Sequence, residues 1–84
     1  MPKICEFNGM KIYIYFDDPY PPHIHIRGKH KAELYIKTGE YKNGSLPNKQ
    51  LRNDLLWLNE YQHDIMEAWN TCKAYHYPKK IPPL

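Results

Sequence analysis

The sequence predicts an α+β fold, with one antiparallel sheet of about four strands covered on one face by one long C-terminal helix. Two patterns carry that reading. The first half of the chain alternates apolar and polar residues with period two, and the second half repeats apolar residues at helical spacing. Length is the third constraint. With 84 residues there is room for a single small core, so residues 1–84 read as one domain.

Strands are expected between about residues 3 and 37. Lys3 to Phe7 and Lys11 to Phe16 flank Asn8-Gly9, the preferred two-residue hairpin turn. In the second of these, Ile12, Ile14 and Phe16 share one face, and Lys11, Tyr13 and Tyr15 the other. Asp17-Asp18-Pro19-Tyr20-Pro21-Pro22 interrupts the sheet, because three prolines in four residues cannot donate to a ladder. A third strand is His23 to Arg27, with Gly28 and Lys29 as its turn. A fourth runs from about Lys31 to Lys37, and Asn43-Gly44 reads as a further turn.

The helix is expected over about 47–76. Leu51, Leu55, Leu58, Gln62, Ile65, Trp69 and Cys72 follow one another at steps of four and three, an amphipathic stripe. Ser45 offers an N-cap oxygen, and Pro47 is tolerated in the first turn. Pro78 stops the helix, and the tail 78–84 should be extended, with Ile81 and Leu84 free to dock. Burying the isoleucine face against the helix stripe gives a two-layer domain.

Alternation then places Lys11, Tyr13, Tyr15, His23, His25, Arg27, Glu33, Tyr35 and Lys37 on the opposite, open face. Rings that stack and cations that meet phosphate suit single-stranded nucleic acid. The same residue types also make an ordinary solvated face or a protein-binding surface. The basic turn Arg27-Gly28-Lys29-His30-Lys31 lies beside it.

His23 and His25 are the sharpest local signal. On a strand, residues i and i+2 share a face with Cα atoms about 6.6 Å apart. Such a pair can supply a general acid and a general base, two ligands to a metal, or plain hydrogen bonds. A metal needs a third ligand. Asp17, Asp18, Glu33 and His30 are the candidates, and spacing selects none of them. Adjacent Asp17 and Asp18 read as a loop feature.

Composition excludes other classes. No apolar run reaches the ~18 residues a membrane span needs, and no apolar stretch at the N-terminus resembles a secretory signal. The chain is expected to be cytoplasmic, with Cys5 and Cys72 as reduced thiols. There is no phosphate-binding glycine loop, nucleophile elbow or Cys-x-x-Cys pair. The net charge of +3 is compatible with an anionic partner.

These residues resemble a family of short bacterial proteins, the domain of unknown function DUF4160. The likeness lies in Met1-Pro2 with Ile4 and Phe7, Ile12 to Phe16, and above all Pro21-Pro22-His23-Ile24-His25-Ile26. It continues through Gly44-Ser45-Leu46-Pro47, Trp57, Trp69 and Ile81-Pro82-Pro83-Leu84. Arg27-Gly28-Lys29 departs from the aromatic and glycine common in the family at that turn.

The resemblance implies one half of a two-gene, toxin–antitoxin-like module. This chain would be the toxin component, and its partner an antitoxin-like protein encoded next to it. The leading expectation is a metal-independent endoribonuclease acting on RNA or at the ribosome. His23 and His25 would be catalytic, Arg27, Lys29 and Lys31 would hold phosphate, and Tyr13, Tyr15 and Tyr35 would stack bases. Two alternatives stand beside it: a non-catalytic protein-binding module, and a small protein that binds a divalent metal through His23 and His25.

Overall fold

The computed structural model describes residues 2–84. The architecture is α+β: a five-stranded antiparallel sheet followed by two helices. The strands are β1 (Lys3–Phe7), β2 (Met10–Tyr13), β3 (His23–Arg27), β4 (Ala32–Tyr35) and β5 (Tyr41–Gly44), and they lie side by side in chain order. The helices are α1 (Asn48–Glu60) and α2 (Gln62–Lys73). Among the described residues, no helix is long and apolar enough to cross a membrane.

The first hairpin forms as the sequence reads. Asn8 and Gly9 take positive φ (51° and 76°), which joins β1 to β2 in two residues. β2 stops at Tyr13, so Ile14 and Phe16 leave the ladder, although Ile14 remains fully buried. The fifth strand corrects the expected count of four. Tyr41-Lys42-Asn43-Gly44 has no apolar alternation, and all four residues are exposed, so periodicity could not reveal it. β5 pairs with β4 through Glu33↔Asn43 and Ala32↔Gly44. Gly44 has φ +75°, and a Cβ there would collide with the Lys31 carbonyl oxygen. The Asn43-Gly44 pair read as a turn is therefore the end of a strand pressed against its neighbour.

The single helix expected over 47–76 is two helices ending at Lys73. The break is at Tyr61, whose φ and ψ (−111°, 27°) leave the helical region. No Gly or Pro marks it. Tyr61 lies one turn after Trp57, and the Gln62 side-chain amide donates to the Ile36 carbonyl at 2.8 Å, a long-range bond placed right at the break. Pro47, with no side-chain cap bond, occupies the N-cap position, not Ser45. The buried stripe also shifts: Leu55 is exposed, while Asp54 and Trp57 are fully buried.

Ile4, Ile12, Ile24, Ile26 and Leu34 from the sheet join Trp57, Leu58, Ile65, Trp69 and Cys72 from the helices in one core. The tail runs back over the β1 edge. Ile81 donates its N–H to the Ile4 carbonyl at 2.7 Å, and the Trp57 indole donates to the Pro82 carbonyl at 2.9 Å. Ile81 is buried and Leu84 exposed. Cys5 and Cys72 are free and buried, and burial pushes both thiols up.

Asp54 is the anomaly of this core. Both carboxylate oxygens are buried without a hydrogen-bond partner, and burial pushes its pKa up to about 7. A raised native pKa favours folding below the ordinary carboxylate value, and that contribution is lost as pH rises through about 7. Asp54→Asn should therefore raise the unfolding free energy at about pH 8 by about 1–3 kcal/mol. The gain should vanish near about pH 4, as read by urea titration at both values.

Candidate metal centre

β3 is the central strand, and it is buried on both faces. Ile24 and Ile26 point into the helix-covered core, while His23 and His25 are only 1% and 6% exposed on the other side. That overturns the open imidazole face expected from alternation. The cover comes from the segment between β2 and β3, which folds back over the strand it leads into. Its Asp18 is 7% exposed.

Asp18 is fixed from two directions. Its Oδ2 accepts the backbone N–H of Tyr15 at 3.0 Å and the Nε2–H of His25 at 3.0 Å. Its Oδ1 lies 3.1 Å from the same His25 nitrogen and 3.7 Å from His23 Nε2. Asp18, His23 and His25 thus each present a ligand atom, all within 4.8 Å of one another, and form the one such group among the described residues. Glu33 sits opposite His25 on β4. Its Oε1 is 4.0 Å from His23 Nε2, and its Oε2 is 3.8 Å from His25 Nδ1.

Hydrogen bonds fix the proton on each ring. His23 Nδ1 faces the Pro21 carbonyl oxygen at 3.0 Å, which can only accept, so Nδ1 carries the proton. His23 Nε2 faces two carboxylates, a position that suits a proton or a cation. His25 is the reverse. Arg27 Nη2 can only donate, and at 3.2 Å it makes His25 Nδ1 the acceptor, so Nε2 carries the proton toward Asp18. Burial pushes the His25 pKa below the ordinary imidazole value, against the pull of the Asp18 hydrogen bond and charge and of Glu33.

Aromatic rings enclose the group. Tyr15 packs on His25 with centroids 4.3 Å apart, and the Tyr13 ring stacks 6.1 Å from Tyr15. Tyr13 and Tyr35 are the cross-strand partners of His25 and His23. Trp69, expected as packing, lies 5.4 Å from the His23 ring.

The remaining expected residues divide. Arg27 belongs to the site through His25. Lys31 is exposed and lines a shallow hollow with Arg27 and Glu33. Lys29 does not join them: it lines a different hollow with Asn8, His30 and Lys49. His30 is therefore not a third ligand, and Asp17 is exposed. The sequence leaves Asp18 as one of four candidates for the third ligand, and it gives no sign of Lys42, whose Nζ is 3.6 Å from Glu33 Oε1. Spacing does not single these two out: Asp18 reaches the histidines because the nine-residue link between β2 and β3 turns back over β3.

Asp18→Ala would leave the Tyr15 N–H and the His25 Nε2–H without their acceptor. In the presence of a chelator it should lower the unfolding free energy by about 1–3 kcal/mol, measured by urea denaturation.

Comparison with known proteins agrees with the residues. Searches of curated proteins and of solved structures return no match. The family model described as "Domain of unknown function (DUF4160)" matches residues 9–70, a span that includes Asp18, His23, His25 and Glu33. That is well over half of the chain, which belongs to the DUF4160 family.

Proposed function

We propose that this chain is a divalent-metal-binding module, with Asp18, His23 Nε2 and His25 Nε2 as ligands. The observation that carries the proposal is the convergence of three buried ligand atoms within 4.8 Å. His23 adds to it. Its Nδ1–H is held by the Pro21 carbonyl, the usual outer contact of a metal-bound imidazole, and its Nε2 points at carboxylate oxygens 3.7 and 4.0 Å away. A cation between them turns repulsion into attraction. Two imidazoles and a carboxylate suit a first-row ion such as Zn²⁺ or Fe²⁺.

The same geometry weighs against His23 and His25 flanking a phosphate without metal. Both rings are nearly enclosed, and Asp18 and Glu33 bring negative charge to where a phosphate would sit. We therefore carry the toxin component, and RNA as its target, into a metal-dependent form. The ion would offset the carboxylates and activate a water. The half-buried Tyr13–Tyr15 pair beside His25 is the observation that favours a base-stacking platform. An antitoxin-like partner would find apolar surface at Leu55 and Leu56, which are exposed on α1.

Two measurements test this. Protein made without a His tag and purified without chelator should carry about one ion per chain, and His23→Ala and Asp18→Ala should carry none while keeping their circular dichroism. A metal-free wild type that also fails to bind added Zn²⁺ overturns the proposal and leaves a proton on His23 Nε2. Induced expression should arrest growth for wild type but not for His23→Ala. Equal arrest by both removes the centre from the toxic activity.

A further inference from the structure

The two imidazoles are not equally prepared for a metal. His23 already carries its proton on Nδ1, away from the ligand position. His25 carries its proton on Nε2, the atom that has to coordinate, because Arg27 donates to its Nδ1 at 3.2 Å. A carboxylate oxygen of Glu33 stands 3.8 Å from that same Nδ1. One ring nitrogen thus faces a donor that favours one tautomer and an acceptor that favours the other.

We propose that Glu33 is a positioning residue for the metal centre, accepting the Nδ1–H of His25 in place of the Arg27 contact when a metal takes His25 Nε2. The proton balance is even. Nε2 gives its proton to water, Nδ1 takes one from water, and the ring is neutral before and after. Glu33 needs to close by less than about 1 Å to reach hydrogen-bond distance. The move does not strand the guanidinium, because Arg27 Nη1 keeps its bond to the Ile26 carbonyl at 3.1 Å. Lys42, 3.6 Å from Glu33 Oε1, pairs with the carboxylate from the β5 side. β5, the strand without a hydrophobic pattern, then has a role: it brings Lys42 to the group through the Glu33↔Asn43 pairing.

This inference rests on the metal reading, and the test separates the two. Long-range ¹H–¹⁵N spectra of the imidazoles are recorded on the full chain, with and without one equivalent of Zn²⁺. His23 should remain Nδ1–H in both. His25 should change from Nε2–H to Nδ1–H on adding Zn²⁺. In titrations, Glu33→Ala should weaken Zn²⁺ binding by about 10–100-fold, and Glu33→Gln, which keeps an acceptor oxygen, should recover part of the loss. Arg27→Met should bind at least as tightly as wild type. If wild type binds Zn²⁺ but His25 keeps its proton on Nε2, or Glu33→Ala binds as wild type does, the positioning role is overturned and the metal centre stands. If wild type binds no Zn²⁺, both fall. The wild-type spectra decide the matter even if a variant fails to fold.

Discussion

The buried carboxylate of Asp18 is the interaction on which the rest depends. It accepts a backbone N–H from its own loop and an imidazole N–H from β3, so it ties the Phe16-to-Pro22 segment down onto the central strand. A carboxylate this enclosed is stable only when its lone pairs are satisfied. Its partners are local on one side and across the sheet on the other. With the His23–Pro21 bond it is one of two polar ties, among the described residues, between this loop and the histidine face of β3.

Having both faces of β3 buried explains the shape of the domain. One face is apolar and closes on Trp57, Leu58 and Ile65. The other is polar, closed by a short loop and by aromatic rings. A small domain has little core to spare, and here it commits part of its central strand to hydrogen-bonded side chains. The docked tail compensates at the β1 edge, where Ile81 pairs with Ile4 and covers a sheet edge that would otherwise be open. The Cα radius of gyration of 11.4 Å is close to the roughly 12 Å expected for a globular chain of this length.

Charge around the group is only partly balanced. Glu33 is paired with Lys42, Arg27 donates to His25 and leaves Asp18 to the imidazoles, and burial keeps His25 toward its neutral form. The two carboxylates so close to the imidazoles favour added positive charge over an anion at the proposed centre. That reverses the chemistry which a pair of histidines beside a basic turn suggests in one dimension. The cations that the sequence groups together are also separated in space: Arg27 turns inward to His25, while Lys29 lies at another hollow.

Much of the fold was legible because it rests on local rules. Period-two alternation gave β3 and most of β2 and β4, and Asn8-Gly9 gave β1 and the first hairpin, since positive φ at both positions is a property of those residues. The helical half and the paired histidines were legible for the same reason. β5 was not, because its stability comes from pairing with β4 and not from its own side chains. The break at Tyr61 was not: no Gly or Pro marks it, and the Gln62 bond beside it reaches Ile36, far back along the chain. Of the candidate centre, the sequence by itself determined that two imidazoles share one face of a strand. Only the tertiary structure decided that the face is closed, that Asp18 and not Asp17 or His30 joins them, and that each ring holds its proton on a different nitrogen. Those are decisions of loop path and cross-strand register, which bring together residues that no spacing along the chain connects.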